Sequence, residues 1–174
     1  MKPYYEFLKD FEFQKPISEL TYRIKSLLRY NIDMDVFLPT KGRNLQRGFV
    51  WSLEQKRELI LSIFLRKHIP HIATIDISKG TATHIQVIDG KQRVSTIIAF
   101  AKDEFTIPFE GEEYLFSQLP EDYRIAFLSS YLRTYVMNEH YDNEITDDEK
   151  IRWFKFLNFA GTPQDKEYLE LLDK

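Results

Sequence analysis

The 174-residue chain has the length of one domain of ordinary size, enough to bury roughly 70% of the surface its unfolded form exposes. With 43% hydrophobic and 15% aromatic residues the composition is globular, which excludes the disordered, collagen-like and coiled-coil classes. There is no cysteine, so disulfides, thiolate metal sites and cysteine nucleophiles are excluded, and a net charge of −3 gives no general attraction to nucleic acid or anionic membrane.

Residues 17–30, ISELTYRIKSLLRY, set Ile17, Leu20, Ile24, Leu27 and Leu28 at helical spacing and predict one amphipathic helix. NIDMDVFLPT then alternates apolar and polar residues as a short strand does, ending at Pro39. KGRNLQRGFVWS reads as a structured loop. Ser52 can cap the helix that follows it, whose stripe is Leu53, Leu59, Ile60, Ile63 and Phe64 and which Pro70 ends. The runs 71–78 and 83–89 predict a hairpin about Lys79–Gly80, and the second run passes through Gly90 into a helix carrying Val94, Ile97, Ile98 and Ala101. Two short strands about Glu110–Gly111 come next, then a helix over 121–130 and a strand at YLRTYVMN. Thr146 and Glu149 form a capping-box pattern for a helix over 146–159, and Thr162–Pro163 starts a last one. Without repeat, low-complexity tract or linker, the expectation is a single α+β domain over 1–174, with 1–35 as a helical lead-in and 36–174 as the motif-bearing core.

Charge is uneven along the chain. Thirteen basic against eight acidic residues up to Pro70 give +5, and eleven against nineteen beyond it give −8. Positive charge is densest over 41–67, so any affinity for phosphate must be local.

The strongest local feature is Asp89-Gly90-Lys91-Gln92-Arg93 at a strand-to-helix turn. A helix N-terminus presents unpaired backbone N–H groups and partial positive charge, Gly90 permits close approach, and Lys91 and Arg93 add cationic side chains. Phosphate would fit there, with Asp89 capping the helix or orienting a metal or water. The plain alternative is an ordinary βα turn in which Asp89 is a cap and the cations are solvated. A second feature is the loop from Asn44 through Gln46, Arg47 and Phe49 to Trp51. Its aromatics could stack on a base while Arg47 reaches phosphate, or they could simply anchor the loop to the core.

Together these stations resemble a known family. Gln46-Arg47 with Trp51, then Ile69-Pro70, then Asp89-Gly90-Lys91-Gln92-Arg93 with Thr96-Ile97, and finally Leu157-Asn158 with Gly161 and Pro163, are similar in order and spacing to the ParB/sulfiredoxin-like domain with the DGQQR signature. That domain forms the N-terminal part of GmrSD-type modification-dependent restriction enzymes. The resemblance runs from about residue 36 to 172. It implies a ParB-like fold, a small mixed sheet with flanking helices, in which the glycine turn binds nucleotide phosphates. Gln46, Arg47, Gly90, Lys91, Arg93 and Thr96 would be the binding residues. Asp89, Gln92 and Arg93 would be catalytic, with Asp89 holding Mg²⁺, and Trp51 and Asn158 would assist. Lys91 stands where the commonest motif has Gln, which favours phosphate. Ala160 stands where a first glycine often does, which weakens a role for backbone approach there. Asn158 reads equally as a helix cap.

Other sites are weaker. His68, His71, His84 and His140 lack metal-ligand spacing, no Walker motif is present, and the six carboxylates of 139–149 suit solvated loop charge and a helix start. No apolar run reaches the ~18 residues of a membrane span and the first residues lack a signal-peptide core, so a cytoplasmic protein without membrane contact is expected. The function implied is binding, with or without hydrolysis, of an NTP with Mg²⁺ in a DNA-processing or anti-foreign-DNA defence system. The alternatives are a DNA-binding or nicking ParB-like module with the 41–67 segment on phosphates, and a non-enzymatic interaction or switch domain. No HNH-type nuclease fits in the chain, so cutting would fall to this domain or to a nuclease partner in trans. Sulfiredoxin chemistry is excluded because it needs a cysteine.

Overall fold

A computed structural model describes residues 15–79, 82–139 and 144–159. The centre is a five-stranded mixed sheet of β1 (Ser18–Arg23), β2 (Asn31–Asp33), β5 (Ile72–Lys79), β6 (Ala82–Asp89) and β9 (Tyr131–Glu139), in the order β1-β9-β5-β6-β2. β1 runs antiparallel to β9 and β5 to β6, whereas β9–β5 and β6–β2 are parallel. Two small hairpins complete the strands, β3 (Phe37–Leu38) with β4 (Arg43–Asn44) and β7 (Ile107–Phe109) with β8 (Glu112–Tyr114). The helices are α1 (Ile24–Leu27), α2 (Leu53–Phe64), α3 (Lys91–Ala101), α4 (Glu121–Ser129) and α5 (Asp147–Phe159). The α+β class is therefore as expected.

Period-two alternation in the sheet divides the core in two. Ile72 and Val87 join α1 to α4 through Leu27, Ile60, Ile63, Val94, Ile97 and Phe127. Ala73, Ile75, Ile77 and Ile88 meet Val36, Leu38, Leu45 and the α5 residues Ile151, Trp153 and Phe154. Phe100 anchors the first cluster, its ring 5.3 Å and nearly perpendicular to that of Phe127, the edge-to-face geometry that aromatic quadrupoles favour.

Local signals account for most elements. Ser52 accepts from the Gln55 N–H while the Gln55 side chain returns to the Ser52 N–H, a closed capping box at the start of α2. Thr146 and Glu149 do the same for α5. Burial works against the Glu149 carboxylate, but hydrogen bonds from the Thr146 N–H and hydroxyl, with the Lys15 ammonium, outweigh it and lower its pKa.

The helix expected over 17–30 is instead strand β1 followed by one helical turn. Ser18–Arg23 gains six ladder positions against β9. The two apolar residues of the helical pattern that fall outside α1 on its N-terminal side, Ile17 and Leu20, are exposed, while Ile24 and Leu27 are fully buried. Tertiary pairing overrides the helical period here. The helix α2 also ends earlier than Pro70. Leu65 caps it, Arg66 turns left-handed at φ 55°, and the Arg66 and Lys67 N–H groups bond the carbonyls of Ile63 and Ser62. That is a Schellman closure, with an arginine where glycine is usual.

Gly80 of the hairpin turn, His140, Ala160, Gly161 and the helix expected from Thr162–Pro163 lie outside the described residues. No helix among the described residues is long and apolar enough to cross a membrane.

Candidate functional site

The Asp89–Arg93 motif sits where β6 gives way to α3. Ala73 pairs with Asp89 and Thr74 with Val87, so Ile88 is an extra residue, a bulge just before the motif. Bulges re-aim the chain next to sites. Gly90 follows at φ 97° and ψ 14°. An added Cβ would lie 2.5 Å from Ile72 Cγ2 and 3.0 Å from Ile72 Cβ. Both the left-handed backbone and the missing side chain are required, so glycine alone fits. Gly90 offers no side-chain cap and the first helical bond runs from the Val94 N–H to the Gly90 carbonyl. The N–H groups of Lys91, Gln92 and Arg93 accordingly have no partner within the helix.

The side chains of the motif are engaged with the surrounding structure. Lys91 is buried and donates to Asp35 Oδ1 at 2.5 Å. Asp35 is placed by Asp33, whose Oδ1 accepts from the N–H groups of Asp35 and Val36. This turn holds buried Val36 at φ 46°, a strained state for a β-branched residue. Arg93 Nη2 bridges Asp89 Oδ2 at 2.8 Å and the His71 carbonyl at 3.0 Å, leaving a buried Nε without a partner among the described residues. Thr96 is fully buried and its hydroxyl likewise has no partner among the described residues.

Gln92 and Gln46 fasten the second motif to the first. Gln92 Oε1 accepts from the N–H groups of Val50 (3.0 Å) and Trp51 (3.2 Å), and its Nε2 donates to the Gly48 carbonyl. Buried Gln46 donates to the Val87 carbonyl at 2.5 Å. The intervening Arg47 is exposed, with no hydrogen bond or ion pair among the described residues. Trp51 packs partly buried on the first core cluster, while Phe49 is exposed under Lys56, whose Nζ is 4.8 Å from the ring centroid. Asn158 donates to the Phe154 carbonyl one turn back in α5.

The structure thus joins Gln46, Arg47 and Trp51 to the Asp89–Arg93 turn and leaves Asn158 bonded within its own helix. Asp33 and Asp35 escaped the sequence reading, although an Asp two residues before another at a chain reversal is an Asx-turn signal. The cations of 41–67 have dispersed partners. Lys41 pairs with Asp148 and Arg57 with Glu113, while Arg66 and Lys67 lie at the end of α2.

Elsewhere, Tyr22 donates to Asp76 Oδ2, and Thr74 donates to Oδ1 of the same carboxylate. Burial raises the Asp76 pKa against the pull of those two hydrogen bonds, and burial with the adjacent carboxylate pushes the Tyr22 phenol up as well. A cavity of about 360 Å³ lies between α1 and α3, and one of about 560 Å³ between the ends of α2 and α4; the motif lines neither. No group of three His, Cys, Asp or Glu side chains placed to hold a metal occurs among the described residues. Magnesium carried by phosphates needs only one or two protein carboxylates, and Asp89, with a side chain about a quarter exposed, meets that requirement.

No curated protein and no solved structure matches the chain. A family model described as the GmrSD restriction endonuclease, N-terminal domain, matches residues 24–171.

Proposed function

The chain belongs to the GmrSD restriction endonuclease N-terminal domain family, a component of a restriction-endonuclease-type defence system, and we propose that in such a system this domain binds a nucleotide through its phosphates at the Gly90 turn. One observation carries the reading. The uncapped N-terminus of α3 lies beside a loop that Gln92 and Gln46 hold in place and that presents Arg47, which has no ion-pair partner among the described residues.

Lys91 and Arg93 are each matched by a carboxylate, so the net attraction for a phosphate comes from the backbone N–H groups, the helix dipole and Arg47. Each charge-assisted bond contributes about 1.5–3 kcal/mol. Gln92 acts by holding the loop over the nucleotide, because its amide is already committed on both sides. Arg93 holds the Asp89 carboxylate in place through a hydrogen bond to Oδ2. When Mg²⁺ is bound with the nucleotide it neutralises phosphate charge, and Asp89 is the residue that would face it. For hydrolysis, water adds to the terminal phosphorus, the bond to the bridging oxygen breaks, and Asp89 accepts the water proton. A nuclease domain or subunit is the partner that would read the nucleotide state.

Titration calorimetry of each nucleoside triphosphate with Mg²⁺ tests this. Binding by the wild type and a loss of about tenfold or more in Arg47→Ala, equivalent to about 1.4 kcal/mol, are expected. A wild type that binds none of the four nucleotides overturns the reading.

A further inference from the structure

We propose that strand β1 is the interface with a second copy of this chain, which adds its own β1 antiparallel about a two-fold axis at Thr21. β1 is an edge of the sheet and spans six residues, all exposed but Tyr22, whereas the opposite edge, β2, has three. An edge of that length and exposure is a template for a further strand. The Ile24 N–H donates to the Ser130 carbonyl, the next position in register after Arg23 and Tyr131. Alternation along the strand therefore turns the backbone groups of Ser18, Leu20 and Tyr22 toward β9 and those of Glu19, Thr21 and Arg23 outward. Arg23 is the N-cap of α1, so its carbonyl is taken by the helix and only its N–H is left. The outward groups have no partner among the described residues.

The side chains select the occupant. Only outward residues can form the bonded pairs, so the registers open to an antiparallel copy differ in steps of two residues. The register centred on Thr21 sets Glu19 opposite Arg23 of the second copy, in both directions, with Thr21 opposite its own counterpart. The Thr21 N–H then meets the Thr21 carbonyl and the Arg23 N–H the Glu19 carbonyl, each in both directions, about four hydrogen bonds in all. Leu20, 44% exposed, faces Tyr22 of the second copy in the non-bonded pairs, where side chains approach most closely. A shift of two residues either way loses both Glu19–Arg23 pairs, and a parallel copy in register sets like charges together. The charged groups are already positioned. His71 Nε2 holds Glu19 Oε1 at 3.1 Å and the Tyr131 hydroxyl holds Arg23 Nε at 2.9 Å, on the same face of the sheet. A strand that is its own charge complement fits a second copy of itself, the self-complementary contact of a two-fold dimer.

This pairing is independent of nucleotide binding at Gly90, which follows β6 on the other side of the sheet centre. Sedimentation velocity of the whole chain, from low micromolar to submillimolar concentration, tests it, and a monomer–dimer equilibrium is expected. Thr21→Pro removes the central outward N–H but no bond to β9, so it should leave the protein folded by circular dichroism and monomeric throughout. Glu19→Arg and Arg23→Glu each set like charges opposite one another and should raise the dissociation constant about tenfold or more. Mixed in equal amounts, these two variants should form a heterodimer at close to wild-type affinity, because both pairs then carry opposite charges. A chain that stays monomeric at every concentration, a dimer that survives Thr21→Pro, or a mixture of the charge variants no more associated than either alone would overturn the proposal.

Discussion

At Gly90 the absent side chain decides the geometry of the turn. The residue must take φ 97° and must leave room for Ile72, whose Cγ2 stands 2.5 Å from where a Cβ would be. Gly90→Ala is expected to cost about 2–4 kcal/mol, combining left-handed strain with overpacking, as read by denaturant unfolding. Asp76 behaves in the opposite sense. Its pKa is raised by burial, so the folded state favours the protonated form, and the ionised carboxyl weakens folding at neutral pH. Stability from this residue therefore grows as pH falls through the raised folded value. Asp76→Asn removes the charge and keeps one acceptor oxygen, while its NH2 donates to the other hydroxyl, which can turn to accept. It should melt higher than wild type at pH 7, with the difference shrinking on acidification and gone below the ordinary value of 3.8. At this scale the sequence told unevenly. Gly90 could be read because a glycine between a strand pattern and a helix pattern has few other uses. The Lys91–Asp35 pair could not, since its members are 56 residues apart and only the placement of β2 beside β6 brings them together.

Among elements, caps and turns were the most legible because their chemistry is local. Ser52 with Gln55 and Thr146 with Glu149 each close within four residues. The turn between β7 and β8 follows from Glu110–Gly111, both at positive φ. Strand β1 was misread because Ile24 and Leu27 supply a real helical turn, and the residues before them share its period by coincidence of Ile17 and Leu20. Only the neighbouring β9, more than a hundred residues later, decides the matter. The loop over 46–51 shows how elements and site are coupled. Gln92 supplies three hydrogen bonds to it from the first turn of α3, and Gln46 one to the end of β6. Gln92→Ala should therefore release the loop without unfolding the sheet, seen as faster tryptic cleavage at Arg47 with little change in melting temperature. Unchanged cleavage would mean that Gln46 and Trp51 hold the loop alone.

For the molecule as a whole, the two core clusters on opposite faces of one sheet put helices α1–α4 on one side and α5 with the β3–β4 hairpin on the other. The bulge at Ile88 lies at the β6 end where both faces meet the Gly90 turn. A rigid strand end, a helix start and a fastened loop converge there, and the pairing of motif cations with carboxylates leaves backbone N–H groups and Arg47 as the attractive elements. The unequal charge of the chain resolves in the same way. Three cations of the basic front half, Lys15, Lys41 and Arg57, pair with Glu149, Asp148 and Glu113 of the acidic remainder, whereas Arg47 has no ion-pair partner among the described residues.

The most direct test of the central claim is to follow backbone amide resonances of ¹⁵N-labelled protein during titration with a nucleoside triphosphate and Mg²⁺. Saturable shifts are expected at the Gly90, Lys91, Gln92 and Arg93 amides and at Arg47, with the Arg66–Ile69 amides unmoved. Saturable shifts confined to another region, or none at the α3 N-terminus, would contradict it.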